Sequence, residues 1–206
     1  MSDSDRILRR LNVSRETSER LTIYAGLLEK WNPKINLVSR ASLPDLWTRH
    51  ILDSAQLLGL APQSGHWVDL GSGGGFPGLV VGCLAAEQAP GLRFTLIESD
   101  TRKSAFLRTV IRETGVDALV LTARAEETPP QHADVLSARA LTNLTGLLEF
   151  SALHLNIDGC ALFPKGQSWE KEVLAARDTW SFVYDRIKSE TEAGSVILRI
   201  RGATRV

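Results

Sequence analysis

Within Asp69-Leu70-Gly71-Ser72-Gly73-Gly74-Gly75-Phe76-Pro77-Gly78, five glycines fall in eight residues, between a short apolar run and a helical one. Glycine tolerates positive φ and lets a ligand approach main-chain N–H groups at a helix N-terminus. A flexible loop without a ligand would lose folding entropy for no return, so the run reads as a binding turn. Glu98 ends the next apolar stretch, Thr95-Leu96-Ile97-Glu98, where a carboxylate can accept both hydroxyls of a ribose. Turn and acid together predict a nucleoside-containing ligand. Its kind stays open on these residues, because two glycine registers coexist. Gly73-x-Gly75-x-x-Gly78 satisfies the dinucleotide fingerprint, implying NAD and hydride transfer, or a nucleotide-binding module without catalysis. Asp69-x-Gly71-x-Gly73-x-Gly75 instead sets an acid two residues before a three-glycine series.

Other residue types bear on chemistry less directly. Arg139 and Lys165 stand near the C-terminal ends of predicted strands, where open α/β sheets bind ligands. They are the candidate catalytic cations, able to hold a base edge or a phosphate. His50, between Arg49 and Asp53, reads as a structural hydrogen-bonding residue that docks N-terminal helices against the glycine turn. His66, His132 and His154 lack partners at metal-ligand spacing, and no metal is expected. Cys83 and Cys160 sit in apolar surroundings and read as free thiols in a reducing compartment, hence the cytoplasm.

The elements that must position these groups follow from periodicity. Ser14 caps a first helix in which Leu21, Tyr24, Ala25, Leu28 and Trp31 recur at helical spacing until Asn32-Pro33 stops it. A second helix is predicted over residues 43–58. Strands are expected over 67–70, 94–97, 119–122, 135–137 and 160–163, alternating with helices over 77–86, 102–114, 144–155 and 169–176. Strands over 181–187 and 195–201 close the chain as an antiparallel pair. The predicted fold is α/β: a Rossmann-like, seven-stranded, mostly parallel sheet with helices on both faces and an N-terminal helical extension. The expected division is residues 1–62 for the extension and 63–206 for the domain carrying the glycine turn.

Composition narrows little beyond this. The 206 residues suffice for one substantial core, and Lys plus Arg balances Asp plus Glu at 24 each. A neutral total does not advertise a nucleic-acid partner, although a local basic face can coexist with it. The apolar stretches are far shorter than a membrane span, and the polar N-terminus shows no secretory signal.

The second glycine register resembles motif I of class I methyltransferases, which bind S-adenosylmethionine. Ala123-Arg124-Ala125-Glu126 falls where those enzymes contact the adenine, and the closing hairpin matches their sheet. Over most of its length the chain further resembles the RsmG (GidB) family, bacterial methyltransferases acting on guanine N7 in 16S ribosomal RNA. The residues that carry this include Asn36-Leu37-Val38-Ser39, Arg49-His50-Ile51-Leu52-Asp53-Ser54, the turn through Phe76-Pro77-Gly78, Ser137-Ala138-Arg139-Ala140 and Lys165-Gly166. By that resemblance Asp69, Gly71, Gly73, Gly75, Phe76, Ala125, Glu126 and Arg139 serve the cofactor, and Glu98 is the ribose acid. The implied partner is 16S ribosomal RNA or the small ribosomal subunit, met by a monomer. Gly74, where many members have proline, is a mild departure. A class I methyltransferase acting on a small molecule or protein is the alternative that neutral charge favours.

Overall fold

The computed structural model describes residues 2–206. Five strands run parallel, β1 (Ser64–Leu70), β2 (Gly91–Ile97), β3 (Ala118–Leu121), β4 (Ala133–Ala138) and β5 (Leu155–Lys165). The last two, β6 (Trp180–Lys188) and β7 (Val196–Arg205), form the expected antiparallel pair. One seven-stranded sheet results, in the order β3-β2-β1-β4-β5-β7-β6, with β7 inserted antiparallel between β5 and β6. The order reverses between β1 and β4, and such a switch point opens a crevice at the strand C-termini.

Strand alternation divides the interior into two cores. Trp67, Phe94, Val135 and Leu162 face one side of the sheet, where α2 (Arg15–Ile35), α4 (Gly78–Gln88) and α5 (Thr101–Thr114) pack. Val68, Leu136, Phe163 and Leu198 face the other, under α6 (Leu144–His154) and α7 (Trp169–Ala176). Leu21, Tyr24 and Leu28 of α2 share the first core with Leu79 and Phe106, so the N-terminal helices are continuous with the sheet's packing.

Several boundaries depart from the sequence expectation. A first helix, α1 (Asp3–Leu11), precedes Ser14; Ser2 and Asp5 close a reciprocal capping box, which the polar N-terminal run masked. Helix α2 continues through Pro33 to Ile35. Proline there removes only the bond to the carbonyl of exposed Glu29. The buried Asn32 side chain accepts the Val38 N–H at 2.9 Å and ties down the exit. The single helix expected over 43–58 is a series of turns: a 3₁₀ turn at Leu43–Asp45, a π-helical stretch at Leu46–Leu52, α3 (Asp53–Ala55) and a second 3₁₀ turn at Leu58–Leu60. Pro77 caps α4 instead of entering it. No helix among the described residues is long and apolar enough to cross a membrane.

Candidate cofactor and acceptor cleft

At the C-terminal ends of β1, β4 and β5 lies a cleft of about 990 Å³. Its floor is the glycine turn, and its walls come from the π-helical stretch, the loop after β4 and the β6–β7 turn. Gly71, Gly73 and Gly75 all adopt positive φ, of 59°, 54° and 92°. The reason for glycine differs along the turn. A Cβ on Gly75 would stand 2.5 Å from the Tyr24 hydroxyl and 2.8 Å from Leu79, and one on Gly78 would strike Leu96 and Asp69. A Cβ on Gly73 would meet nothing nearer than the Gly71 carbonyl oxygen at 3.6 Å, because that face opens into the cleft. Inner glycines serve packing; Gly73 leaves room for a ligand.

Two carboxylates hold the turn. Asp69 is fully buried beneath it and does not line the cleft. Its Oδ1 accepts from Ser137 Oγ at 2.6 Å, and Ser137 accepts in turn from Trp67 Nε1 at 2.8 Å, linking β1 to β4. Burial pushes the Asp69 carboxyl up to about 6, against the hydrogen bonds of Ser137 and Ser72. Glu98, 6% exposed, accepts Gly73 N–H through Oε2 and Asp100 N–H through Oε1, both at 2.8 Å. Each oxygen has a second lone pair, so hydroxyls can still be accepted there.

Arg139 lies in the opposite wall, just past β4. Its guanidinium sits 4.9 Å above the Phe76 ring, and Nη1 donates to the Arg49 carbonyl at 3.1 Å. Nη2 meets His50 Nδ1 at 2.7 Å, and Asp53 Oδ2 lies 3.6 Å from Nη1. Phe76 stacks on Tyr24 at 5.5 Å and contacts His50 at 5.0 Å, tying turn, helix and π-helical stretch together. The next residue, Ala140, has a positive φ of 55°, a strained conformation for alanine that redirects the loop as it leaves Arg139.

The remaining candidates fall elsewhere. Lys165 lines the cleft, but its side chain is 8% exposed and committed to Glu172 at 2.8 Å and the Thr142 carbonyl at 3.2 Å. Ala125 is buried and Glu126 exposed on a 3₁₀ turn after β3, outside the cleft lining. The buried His154 ring fixes that turn through the Ala125 carbonyl at 3.0 Å. Sequence reasoning missed Tyr24, Ser42, Thr191 and Glu172. Tyr24 and Thr191 act across 50 and 138 residues, Ser42 and Glu172 on partners eight and seven residues away, and none sits in a motif. Tyr24, the clearest case, reads as one more apolar residue of a helix face until its hydroxyl is seen donating to the Gly74 carbonyl.

Comparison with known proteins gives the fold and the family. The solved structures resembling this chain include TYW2 from M. jannaschii in complex with AdoMet, at TM-score 0.58 and 13% identity over 84% of this chain and 80% of that one. A TehB-like SAM-dependent methyltransferase from Corynebacterium glutamicum aligns at TM-score 0.56 and 12% identity, over 90% and 99%. At such identities the likeness establishes the fold, that of class I methyltransferases. Closer in sequence is a ribosomal RNA small subunit methyltransferase G from Ruegeria pomeroyi, 59% identical over 95% of this chain and 96% of the relative. Another of the same description from Cereibacter sphaeroides is 49% identical over 97% and 98%. With residues 17–195 also matching the family described as GidB, rRNA small subunit methyltransferase G, the chain belongs to that family.

Proposed function

We propose that this chain transfers the methyl group of S-adenosylmethionine to N7 of a guanine in the 16S RNA of the small ribosomal subunit, acting as a cytoplasmic monomer. The observation that carries the cofactor half of the reading is Gly73: positive φ, a face open to the cleft, and an N–H held by the buried Glu98. The acceptor half is supported by membership of the family. Bound S-adenosylmethionine supplies an electrophilic methyl on its sulfonium. Gly71 and Gly73 present backbone to its amino-acid part, and Asp69 keeps their turn in shape from below. Glu98 has lone pairs for the ribose hydroxyls, and the turn holding Ala125 and Glu126 takes the adenine end.

Guanine N7 is a lone-pair acceptor without a proton, so the reaction needs alignment and no general base. The N7 pair forms the new bond to carbon while the carbon–sulfur pair returns to sulfur. Arg139 suits the acceptor side. Two of its five N–H groups are used by Arg49 and His50 and Nη1 also faces Asp53, which leaves Nε and the second N–H of Nη2 for guanine O6, N7 or a phosphate. Lys165, spent on Glu172 and Thr142, positions the loop after β4.

The test is transfer of labelled methyl from S-adenosylmethionine to small subunits lacking the modification, mapped by chain cleavage at 7-methylguanosine. A single labelled guanosine is expected. No transfer with cofactor binding intact would overturn the acceptor assignment.

A further inference from the structure

His50 lies between two cations, Arg139 and Arg49, yet its contacts define it as neutral. A guanidinium can only donate, so Nδ1, 2.7 Å from Arg139 Nη2, is the acceptor and carries no proton. Nε2 therefore holds the proton and donates to Ser42 Oγ at 3.0 Å. Ser42 Oγ donates its own hydrogen bond to the Ser39 carbonyl at 3.0 Å, which fixes the direction of the chain. The ring also packs on Phe76, the ring that lies under Arg139. On the far side, Asp53 faces Arg139 and is itself held by Gln56 Nε2 at 2.9 Å and by the Thr191 hydroxyl. Burial first, then Arg139 and Arg49, lowers the His50 pKa to about 3, so the acceptor form persists at working pH.

We infer that His50 is a positioning residue for methyl transfer: its unprotonated Nδ1 sets the plane of the Arg139 guanidinium, so that the donors left free meet the acceptor nucleotide in one orientation. The inference rests on the reading above in that Arg139 must touch the acceptor. Phe76 alone leaves the guanidinium free to turn over its face, and Asp53 at 3.6 Å supplies charge more than direction. His50 and the Arg49 carbonyl are the two groups that fix its rotation.

The experiment compares His50→Phe, His50→Asn, Ser42→Ala and Arg139→Lys in steady-state transfer to small subunits, with cofactor affinity and melting temperature measured alongside. His50→Phe keeps a ring against Phe76 but removes the acceptor; kcat should fall by about a hundredfold, the scale of a small misplacement. Its cofactor Kd should stay within about twofold. His50→Asn, whose Oδ1 stands near the lost Nδ1, should recover about tenfold of that loss. Ser42→Ala removes the acceptor that holds Nε2–H without touching the ring and should lower kcat a few-fold; it answers the question should His50→Phe not fold. Equal impairment of His50→Phe and His50→Asn, or wild-type kcat in both His50→Phe and Ser42→Ala, would overturn the inference. Arg139→Lys separates the two levels: if it keeps wild-type turnover, the placement of Arg139 at the acceptor falls, and this inference with it. If it is impaired while the His50 and Ser42 variants are not, only the role of His50 falls.

Discussion

Replacing Gly73 with alanine should separate cofactor binding from folding. An L residue at its φ of 54° carries a strain of about 1–2 kcal/mol. The new Cβ meets no protein atom nearer than 3.6 Å, so that strain is the whole cost to stability. In a chain of this size it corresponds to a fall of roughly 5 °C in Tm. The same methyl projects into the cleft, where the cofactor must lie against the backbone. Displacing it should weaken S-adenosylmethionine binding at least tenfold, or about 1.4 kcal/mol. Gly75→Ala should do the reverse. Its Cβ would stand 2.5 Å from the Tyr24 hydroxyl and 2.8 Å from Leu79, adding overpacking of about 1–3 kcal/mol to the strain at a φ of 92°. A fall of roughly 10 °C in Tm is expected. Calorimetric titration and melting of both variants decide the matter. Wild-type affinity in Gly73→Ala would mean that the ligand does not rest on this glycine. Equal melting of the two variants would refute the division between packing and binding glycines.

Lys165→Ala should leave cofactor affinity unchanged and lower turnover on RNA, while reducing stability by about 1–3 kcal/mol because Glu172 loses its charged partner; unchanged turnover would mean that the loop after β4 does not depend on Lys165 for its place at the acceptor. The combined contribution of Asp69 and His50 to stability should rise from about pH 3 to about 4, stay level to about 6 and be highest above about 6.5. Asp69 binds a proton more tightly folded than unfolded, so its contribution falls as pH rises from about 4 to about 6. His50 binds one less tightly, so its contribution is complete above about 6.5 and is lost as pH drops toward 3. Urea midpoints should be nearly level between about pH 4 and 6, where the two limbs oppose each other, and Asp69→Asn should uncover the His50 limb as a rise across that range, gaining about 1–3 kcal/mol at pH 8.

The sheet was legible because its strands are short apolar runs bounded by turn residues, and its mostly parallel plan followed from alternating strands and helices closed by a pair with no helix between them. The strand order came only with the structure. The glycine turn was equally plain, since few constraints other than a ligand or close packing concentrate glycines between strand and helix. Helix limits were less so. Pro33 reads as a stop, yet the bond it removes belongs to an exposed carbonyl, and Asn32 secures the next turn from its side chain. Residues 43–58 keep a helical hydrophobic rhythm that does not distinguish 3₁₀, α and π turns, so the break at Leu46–Leu52 was invisible. The site was half legible. Its parts lie in motifs, but whether a cation is free or already paired depends on groups outside those motifs. Lys165 and Arg139 look alike as strand-end cations; Glu172 occupies one, while Arg139 keeps donors toward the cleft.

The titratable groups nearest Arg139 and the glycine turn are all engaged, which suits a reaction that moves no proton. His50 uses both ring nitrogens, one to accept from Arg139 and one to donate to Ser42. Asp53 is engaged by Gln56, Thr191 and Arg139, and Glu98 by two backbone N–H groups. Lys165 is paired, and Asp69 lies under the turn, away from any substrate. A general base needs a free lone pair within hydrogen-bond reach of an acidic proton and a pKa near the working pH. His50, lowered to about 3, fails on both counts. Turnover at saturating substrates should therefore vary less than about twofold between pH 6.5 and 8.5, above the Asp69 value of about 6. A limb of unit slope inside that window would mean that a side chain exchanges a proton in the rate-limiting step. The acceptor atom would then be one that carries a proton, such as an exocyclic amine, and N7 would have to be given up.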